Sequence, residues 1–452
     1  MNMIIAGTGM VGTTLTRQLC AEGHDVTLID RDSQVLERNV ELYDVMGICG
    51  NCAAMDTLSH AGVQDADLLI AVTDSDEVNL LCCTVAHGLN PQLHTIARIR
   101  NPEYTDQAFK LRNIFGLSLV INPDQQTATE IERLLKYPGF LKREQFAKGR
   151  TEIVELRIAP DSKLCNVSLM DLHNLVKCKV LVCAVQRDGK CITPRGDFVL
   201  QEGDRIFVTA PTQNLATLLR NLNIITRRVK RCMICGGSRM AYHLAKNLDK
   251  AGIAVTIVEQ NADRCQDLAT QLPSVNVILG DGNDQSLLES LGLADMDALV
   301  SLTGSDEMNM IISLYAQTRQ VPQVITKLRQ TANREIIDAL ELGSVVSPKE
   351  TCSNIIAQYV RAMQNQVGAA VSVHTIADGQ AEASEFIVDS NTRHCNTPLK
   401  DLKLKPGVLL ASITRDGKTE IPGGLSTFRK GDSVVVITDS GKVLHQLNDI
   451  FA

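Results

Sequence analysis

The chain has 452 residues, 44% hydrophobic and 21% charged, a balance that places it among globular proteins with ample core-forming residues. A formal net charge of −7, with no Trp, six Tyr and nine Phe, excludes the basic footprint and the aromatic platforms that nucleic-acid binding draws on. No apolar run approaches the roughly 18 residues a bilayer span needs, and Met1-Asn2-Met3-Ile4-Ile5 reads straight into a strand instead of a targeting signal. The expectation is a soluble, cytoplasmic protein.

Residues 1–122 alternate short β-branched runs with helical patterns. Met3–Ala6, Val26–Ile29, Tyr43–Ile48, Leu68–Val72, His94–Ile99 and Leu119–Ile121 are the predicted strands. Near-continuous apolar strands alternating with helices imply a parallel sheet covered on both faces. Pro123 stops that sheet, and Asp124 opens a helix running to about Tyr137 and closed by Pro138-Gly139. Residues 151–210 change character, with short strands, turns at Arg187-Asp188-Gly189 and Glu202-Gly203-Asp204, and a helical stretch near Leu169–Val176. This is a small α+β module. The basic tract Arg227-Arg228-Val229-Lys230-Arg231 follows and reads as a solvated linker.

Everything then happens again. Ile5-Ala6-Gly7-Thr8-Gly9-Met10-Val11-Gly12 returns 229 residues later as Ile234-Cys235-Gly236-Gly237-Ser238-Arg239-Met240-Ala241, and Asp30 returns as Glu259. Thr73-Asp74-Ser75-Asp76-Glu77-Val78-Asn79 returns as Thr303-Gly304-Ser305-Asp306-Glu307-Met308-Asn309. Cys165-Asn166, Arg187-Asp188-Gly189-Lys190 and Gly203-Asp204 recur as Cys395-Asn396, Arg415-Asp416-Gly417-Lys418 and Gly431-Asp432. A period this long is a duplicated two-domain unit and not a solenoid. On the helix after Pro348, Cys352, Ile355, Ile356, Tyr359, Val360 and Met363 keep the i, i+3, i+4, i+7 spacing. That stripe is dense enough to pack against another domain or another subunit.

The glycines carry the chemistry. Gly7, Gly9 and Gly12 follow a strand and open a helix, and Asp30 ends the next strand 18 residues past Gly12. This is the context a dinucleotide fingerprint requires. Gly7 permits the turn, Gly9 admits the pyrophosphate, Gly12 brings helix and strand together, and the helix start offers N–H groups and a dipole. Asp30 accepts from the ribose and repels a 2′-phosphate, which favours NAD(H), although Arg31 beside it works partly the other way. In the second half Ser238 replaces Gly9 and places a side chain where pyrophosphate should pass, while Arg239 offers a positive charge and Glu259 keeps the acid. That half reads either as an adenine-nucleotide site or as a purely structural domain.

Of the 14 cysteines, Cys232 and Cys235 lie three apart on one strand and point to opposite faces, so they cannot chelate. Cys49 and Cys52 bracket a turn, where a redox or metal role competes with simple burial. No metal site and no catalytic residue is assigned. The nine histidines are scattered, none recurs at its equivalent position, and no acid–base or nucleophile constellation repeats. A sensor of nucleotide is the leading reading, and an NAD-dependent oxidoreductase is the alternative.

Taken together, the fingerprint with Asp30, Ala71-Val72-Thr73 followed by Ser75-Asp76-Glu77-x-Asn79, the run Ala97-Arg98-Ile99-Arg100-Asn101-Pro102-Glu103-Tyr104, and the doubled arrangement resemble the TrkA family. Those proteins are cytoplasmic nucleotide-binding subunits of bacterial Trk potassium uptake systems, built of RCK (regulator of potassium conductance) units. The resemblance implies two Rossmann-like parallel-sheet domains, each followed by a small α+β domain. It divides the chain into an N-domain over 1–123, a crossover helix over 124–142, a C-domain over 143–226 and a linker over 227–231. The second N-domain spans 232–348, its crossover helix 349–368 and its C-domain 369–452. It further implies NAD(H) in the first N-domain, ATP, ADP or a second NAD in the second, and a ring, expected as a homotetramer. The ring docks under a membrane-embedded potassium-conducting subunit and gates it. The implied contacts in the first half are Gly7, Thr8, Gly9, Met10, Val11 and Gly12 of the loop, Asp30 and Arg31 after the second strand, Asn51, at the family position near adenine, with Cys52, Thr73, Asp74 and Glu77 after the fourth strand, and Arg98 near phosphate. Those in the second half are Gly236, Gly237, Ser238, Arg239, Glu259, Asp281 and Thr303.

Overall fold

The computed structural model describes residues 1–136, 140–222, 228–329, 340, 342–363, 370–439, 444 and 446–452. The first domain lays β1 (Asn2–Ala6), β2 (Asp25–Asp30), β3 (Met46–Cys49), β4 (Leu68–Ala71), β5 (His94–Arg98) and β6 (Leu119–Ile121) into one parallel sheet of order β3-β2-β1-β4-β5-β6. Between them run α1 (Met10–Ala21), α2 (Ser33–Tyr43), α3 (Met55–His60), α4 (Asp76–Leu89) and α5 (Pro102–Lys110). This is the doubly wound order, with its switch point between β1 and β4. The strand expected from Tyr43 starts later, because Tyr43 closes α2 and Asp44, in the left-handed region, ends that helix.

The long helix α6 (Pro123–Lys136) leads into the first small domain; the predicted stop at Pro138-Gly139 lies outside the described residues. That domain holds β7 (Lys142–Phe146), β8 (Thr151–Arg157), a short α7 (Leu172–Val176), β9 (Leu181–Arg187), β10 (Lys190–Ile192), β11 (Arg205–Pro211) and α8 (Thr212–Asn221). Its antiparallel sheet has the order β10-β9-β11-β8-β7. The α7 helix begins three residues later than expected, since Ser168 is spent on a bridge to Val199. The basic tract is less free than a solvated linker. Val229 is buried, Arg231 opens the next strand, and the N–H groups of Lys230 and Arg231 both donate to Asp297; Arg227 lies outside the described residues.

The second half repeats this plan with β12 (Arg231–Cys235), α9 (Arg239–Lys250), β13 (Ala254–Glu259), α10 (Ala262–Gln271), β14 (Asn276–Leu279), α11 (Gln285–Ser290), β15 (Ala298–Ser301), α12 (Asp306–Thr318), β16 (Gln323–Lys327) and β17 (Ser344–Val346). Cys232 and Cys235 fall in the cores on opposite faces of that sheet, as their spacing requires. Helix α13 (Pro348–Met363) follows, then β18 (Ala370–Ile376), β19 (Ala381–Ile387), β20 (Val408–Arg415), β21 (Lys418–Glu420) and β22 (Ser433–Asp439), in the order β18-β19-β22-β20-β21.

The halves exchange their crossover helices. Ala128, Ile131, Leu134 and Leu135 of α6 are buried against Met240, Leu244 and Leu248 of the second Rossmann domain. Cys352, Ile356 and Val360 of α13 are buried against Met3, Ile5, Val11 and Leu15 of the first. Full burial of an aliphatic side chain is worth about 1.5–3 kcal/mol, so each exchanged helix is a firm attachment. Of the two partners open to the apolar stripe on α13, another domain is the one seen: Cys352, Ile356 and Val360 are buried within the chain, while Ile355, Tyr359 and Met363 are partly covered. The small domains add a shared core in which Phe146, Ile153 and Phe207 meet Ile376, Ala383 and Val435. Backbone groups cross it too, with Ala147 N–H on the Glu385 carboxylate at 3.0 Å and Cys191 N–H on the Gln380 side chain at 2.8 Å.

Candidate functional site

The glycine loop leaves β1 with Gly7 at φ +102°, donating to Ile29 O at 2.8 Å. A Cβ there would fall 2.9 Å from Thr73 N, so only glycine lets the loop lie against the end of β4. A Cβ on Gly12 would fall 1.9 Å from Gly7 O, which fixes how closely α1 sits on the loop. No side chain caps α1, whose N-cap is Gly9. The first-turn N–H groups of a helix have no intrahelical partner, so those of Met10, Val11 and Gly12 are left for a ligand. Met10 is itself exposed.

Asp30 closes one side of that turn. Its Oδ2 accepts from Thr8 N at 2.6 Å and from Thr8 Oγ1 at 2.7 Å, and its Oδ1 accepts from Asp32 N at 3.0 Å. Burial alone would raise the carboxyl pKa, but the hydrogen bonds from Asp32 and Thr8 outweigh it and hold it below the usual value. A carboxylate offers about four acceptor directions, so Oδ1 keeps room for a ribose hydroxyl. Arg31 Nη2 donates to Asn51 Oδ1 at 2.9 Å, and Ala53 N–H shares that oxygen at 3.2 Å. The Asn51 side-chain oxygen is thus held by Arg31 and its own turn. Cys52 follows, buried.

Across the switch point, Thr73 is fixed by Asn79, whose Oδ1 accepts from Thr73 N at 2.9 Å and Oγ1 at 2.7 Å. Arg98 reaches back from β5, donating from Nη2 to Thr73 O at 2.6 Å and to the exposed Asp74 at 3.3 Å. Burial, with Arg100 nearby, lowers the Arg98 pKa, and its Nε has no hydrogen-bond partner. Glu77 accepts from Ser75 at 2.6 Å, which together with its own backbone N–H and Tyr104 lowers its pKa. All these residues share the carboxyl edge of one sheet, where open α/β folds bind ligands. The loop fits a dinucleotide: Gly7 and Gly12 leave no room for a Cβ, its helix start is uncapped, and its acid keeps acceptor capacity.

The second half copies the frame and changes the mouth. Gly236 repeats Gly7 at φ +101°, and Thr303 repeats Thr73, bound to Asn309 Oδ1 from N and Oγ1 at 2.8 Å each. Glu259 accepts from Gly237 N at 2.6 Å and Asn261 N at 2.7 Å. Ser238 stands at the N-cap of α9, where Gly9 stands on α1. Its hydroxyl turns back to accept from Ala241 N at 3.3 Å, capping α9 and using a donor that phosphate would need. Arg264 Nε ties down Gly237 O at 2.7 Å, Arg239 stays exposed, and Asp281 accepts from Asn283 N at 2.9 Å.

Two groups escaped the sequence reading. Lys327 takes the place of Arg98, its Nζ on Thr303 O at 2.6 Å, and the repeat of Ala97-Arg98-Ile99 as Thr326-Lys327-Leu328 was the available signal. Cys82, on α4, shares a buried cluster with Cys52 and perturbs its titration, and nothing in the linear order marks that pair. Among the described residues no cluster of three or more His, Cys, Asp or Glu could hold a metal, and no helix is long and apolar enough to cross a membrane.

Known proteins share this plan. The TrkA-N domain model matches residues 3–123 and 232–348, and the TrkA-C domain model matches 153–223 and 383–451. The chain is 30% identical over 459 residues to the Trk system potassium uptake protein TrkA of Haemophilus influenzae, covering 100% of this chain and 98% of that protein. It is 31% identical over 452 residues to the Trk system potassium uptake protein TrkA homolog of Archaeoglobus fulgidus, covering 100% of both. Among solved structures, the crystal structure of the GsuK RCK domain superposes with a TM-score of 0.60 at 17% identity, over 97% of this chain and 92% of that one. The GsuK channel bound to NAD gives a TM-score of 0.59, also at 17% identity, over 97% of this chain and 77% of that one. Those two likenesses carry the fold alone. With both domain models matched twice, in the order of the repeat, and relatives of 30% and 31% identity spanning the whole chain, the protein belongs to the TrkA family.

Proposed function

We propose that this chain is a regulatory subunit that senses nucleotide and gates potassium uptake through a membrane-embedded, Trk-type potassium-conducting subunit. The observation that carries the reading is the uncapped glycine loop with Asp30 at the head of α1, the helix whose Val11 and Leu15 pack against α13 of the other half. A ligand seated there touches an element that both halves share. NAD(H) is the ligand of the first N-domain. The N–H groups of Met10, Val11 and Gly12 take the pyrophosphate, Asp30 the ribose, Arg31 and Asn51 the adenine side, and Thr73, Asp74 and Arg98 the far side. Arg31 is tied to Asn51, which leaves the Asp30 charge to disfavour a 2′-phosphate. In the second N-domain, Ser238 and Arg264 satisfy the loop from within, so a nucleotide there binds more weakly. The names of the relatives as potassium uptake proteins, and a similarly folded channel bound to NAD, support the assignment.

Lacking a spanning helix among its described residues, the chain reaches the inner face of the membrane through its partner. The doubled unit suits a homotetramer whose eight Rossmann-type domains form a ring. Rubidium uptake in a strain deleted for this chain tests the function: uptake should fall, and unchanged uptake with no paralogue present would refute it. Light scattering tests the ring, which a monomer at micromolar concentration with NADH would exclude.

A further inference from the structure

Cys52 and Cys82 are two thiols that meet beneath the candidate nucleotide loop. Cys52 lies in the turn after β3, directly behind Asn51, and Cys82 on the buried face of α4. Both belong to the same core cluster, Cys82 with no exposure and Cys52 with 5%. Cys52 and Cys82 are close enough to perturb one another's titration, and Cys52 also lies within electrostatic reach of Arg31 and Asp30. The pair is peculiar to the first half. Gly282 and Ile312 stand at the equivalent positions, and a Cβ built on Gly282 falls 3.7 Å from Ile312 Cδ1, so the two positions face each other in this fold. The other nearby thiols are engaged elsewhere: Cys83 donates to Ile96 O at 3.7 Å, and the exposed Cys49 donates to Arg31 O at 3.7 Å.

We propose that Cys52 and Cys82 are a thiol-oxidation site, which a low-molecular-weight disulfide converts into an intramolecular disulfide that pins the adenine-side turn to α4 and weakens dinucleotide binding. The binding consequence rests on the dinucleotide reading of the first site. In the first step the Cys52 thiolate attacks one sulfur of the oxidant RS–SR. The Cys52–S–S–R bond forms, the RS–SR bond breaks, and the released RS⁻ takes up the proton that Cys52 lost. In the second step Cys82 gives up its proton and attacks the Cys52 sulfur. The Cys52–Cys82 bond forms, and the second RS⁻ leaves carrying that proton. Two thiols are oxidised by two electrons, and one RS–SR is reduced to two RSH.

The roles follow from the surroundings. The neighbouring Cys82 thiol, aided by the charge of Arg31, holds the Cys52 thiol below its ordinary pKa against the effect of burial. The Cys52 thiol and complete burial push Cys82 well up. Cys52 is therefore the attacking sulfur and Cys82 the resolving one. A disulfide demands a sulfur–sulfur separation of about 2.05 Å, shorter than any thiol hydrogen bond, so the turn must draw in towards α4. Asn51 moves with it, and with Asn51 goes the anchor of Arg31. A dinucleotide lying over Asp30 and Asn51 holds the turn shut and slows the first step.

The experiment incubates the full chain in a glutathione redox buffer with and without NADH, maps disulfides by mass spectrometry, and measures NADH affinity by calorimetry before and after. The expected result is a Cys52–Cys82 disulfide, formed more slowly with NADH present. NADH affinity should fall at least tenfold, recover with dithiothreitol, and not respond in Cys52→Ala or Cys82→Ala. A folded chain that forms no disulfide overturns the proposal. So does one that joins Cys49 to Cys52, or one that forms the Cys52–Cys82 bond with unchanged affinity. If the reduced chain binds no NADH, the dinucleotide reading fails, while the disulfide map still upholds or overturns the oxidation site.

Discussion

Gly237 and Glu259 fit one another as a matched exchange: the Glu259 carboxylate sits 2.6 Å from the Gly237 N–H, where any Cβ on residue 237 would fall 2.9 Å from Glu259 Oε2 and 3.0 Å from its Cγ. In the first half the same space holds the Thr8 side chain, and the shorter Asp30 takes both the N–H and the hydroxyl of Thr8. The loop residue has lost its whole side chain, and the acid has gained one methylene. The longer acid fills the space of the missing side chain, while Asp30 spends one oxygen on both donors of Thr8.

That difference predicts unequal mutants. Losing a charge-assisted hydrogen bond to ribose costs about 1.5–3 kcal/mol, roughly ten- to a hundredfold in affinity. Asp30→Ala should weaken NADH binding by that order, and Glu259→Ala should change it little. Calorimetry on the two variants decides the matter. Loss of binding in Glu259→Ala alone would move the dinucleotide site to the second half.

A serine at position 9 should convert the first mouth into the second. A side chain there meets nothing within 4 Å, so the chain folds, and its hydroxyl caps α1 as Ser238 caps α9. Serine caps better than glycine by only a few tenths of a kcal/mol. Gly9→Ser should therefore leave Tm unchanged or slightly raised, while NADH affinity drops about tenfold or more, because a phosphate donor is spent on the cap. Unchanged affinity would mean that the α1 terminus does not hold the pyrophosphate.

These contrasts show what was legible in the linear order. The Gly7–Gly12 loop, Asp30, and the strand and helix sequence of both Rossmann domains are local patterns, and local patterns survive translation into structure. The stripe from Cys352 to Met363 announced a buried face, but helical periodicity names a face and never its partner, so the exchange of α6 and α13 was invisible. Composition gives the presence of the Ser238 side chain and not its rotamer, so its cap on α9 was invisible too. The Arg98–Thr73 and Cys52–Cys82 contacts join residues 25 and 30 apart, and no periodicity connects them.

Glu144 meets His374, its counterpart in the repeat, across the interface of the small domains, with Oε2 to Nδ1 at 2.7 Å. Lys142 stands 3.3 Å from the same carboxylate, Gln358 Nε2 lies 3.1 Å from the other ring nitrogen of His374, Nε2, and Glu130 lies near enough to oppose the charge. Burial would raise the Glu144 pKa, but the charges of His374 and Lys142 prevail and bring it to about 2 from an ordinary 4.5. A depressed carboxylate contributes stability above its unfolded pKa and loses it as the pH falls towards its folded one. The stability advantage of the wild-type chain over Glu144→Gln should thus be full at pH 7 and shrink between pH 4.5 and 2. Urea denaturation at several pH values measures it, and a constant difference would show that the pair does not titrate with folding.

Arg361, at the end of α13, holds Glu22, just past the end of α1, through Nη2 at 2.5 Å and Nε at 3.2 Å. Both side chains are largely covered, at 11% and 12% exposure. The pair joins the far end of the helix that opens at the nucleotide loop to the crossover helix of the other half. Removing one member of a buried pair leaves the other desolvated and alone, at a cost of about 3–5 kcal/mol, whereas replacing both with apolar groups is often neutral. Glu22→Ala should therefore lower the thermal stability of the full chain markedly. Glu22→Leu combined with Arg361→Met should restore most of it, with a double-mutant coupling above about 1 kcal/mol. If the pair also carries the message from the loop, the doubly apolar variant should bind NADH with wild-type affinity yet fail to restore normal rubidium uptake in a deletion strain. Additive single and double mutants would show that the contact neither stabilises nor couples the two halves.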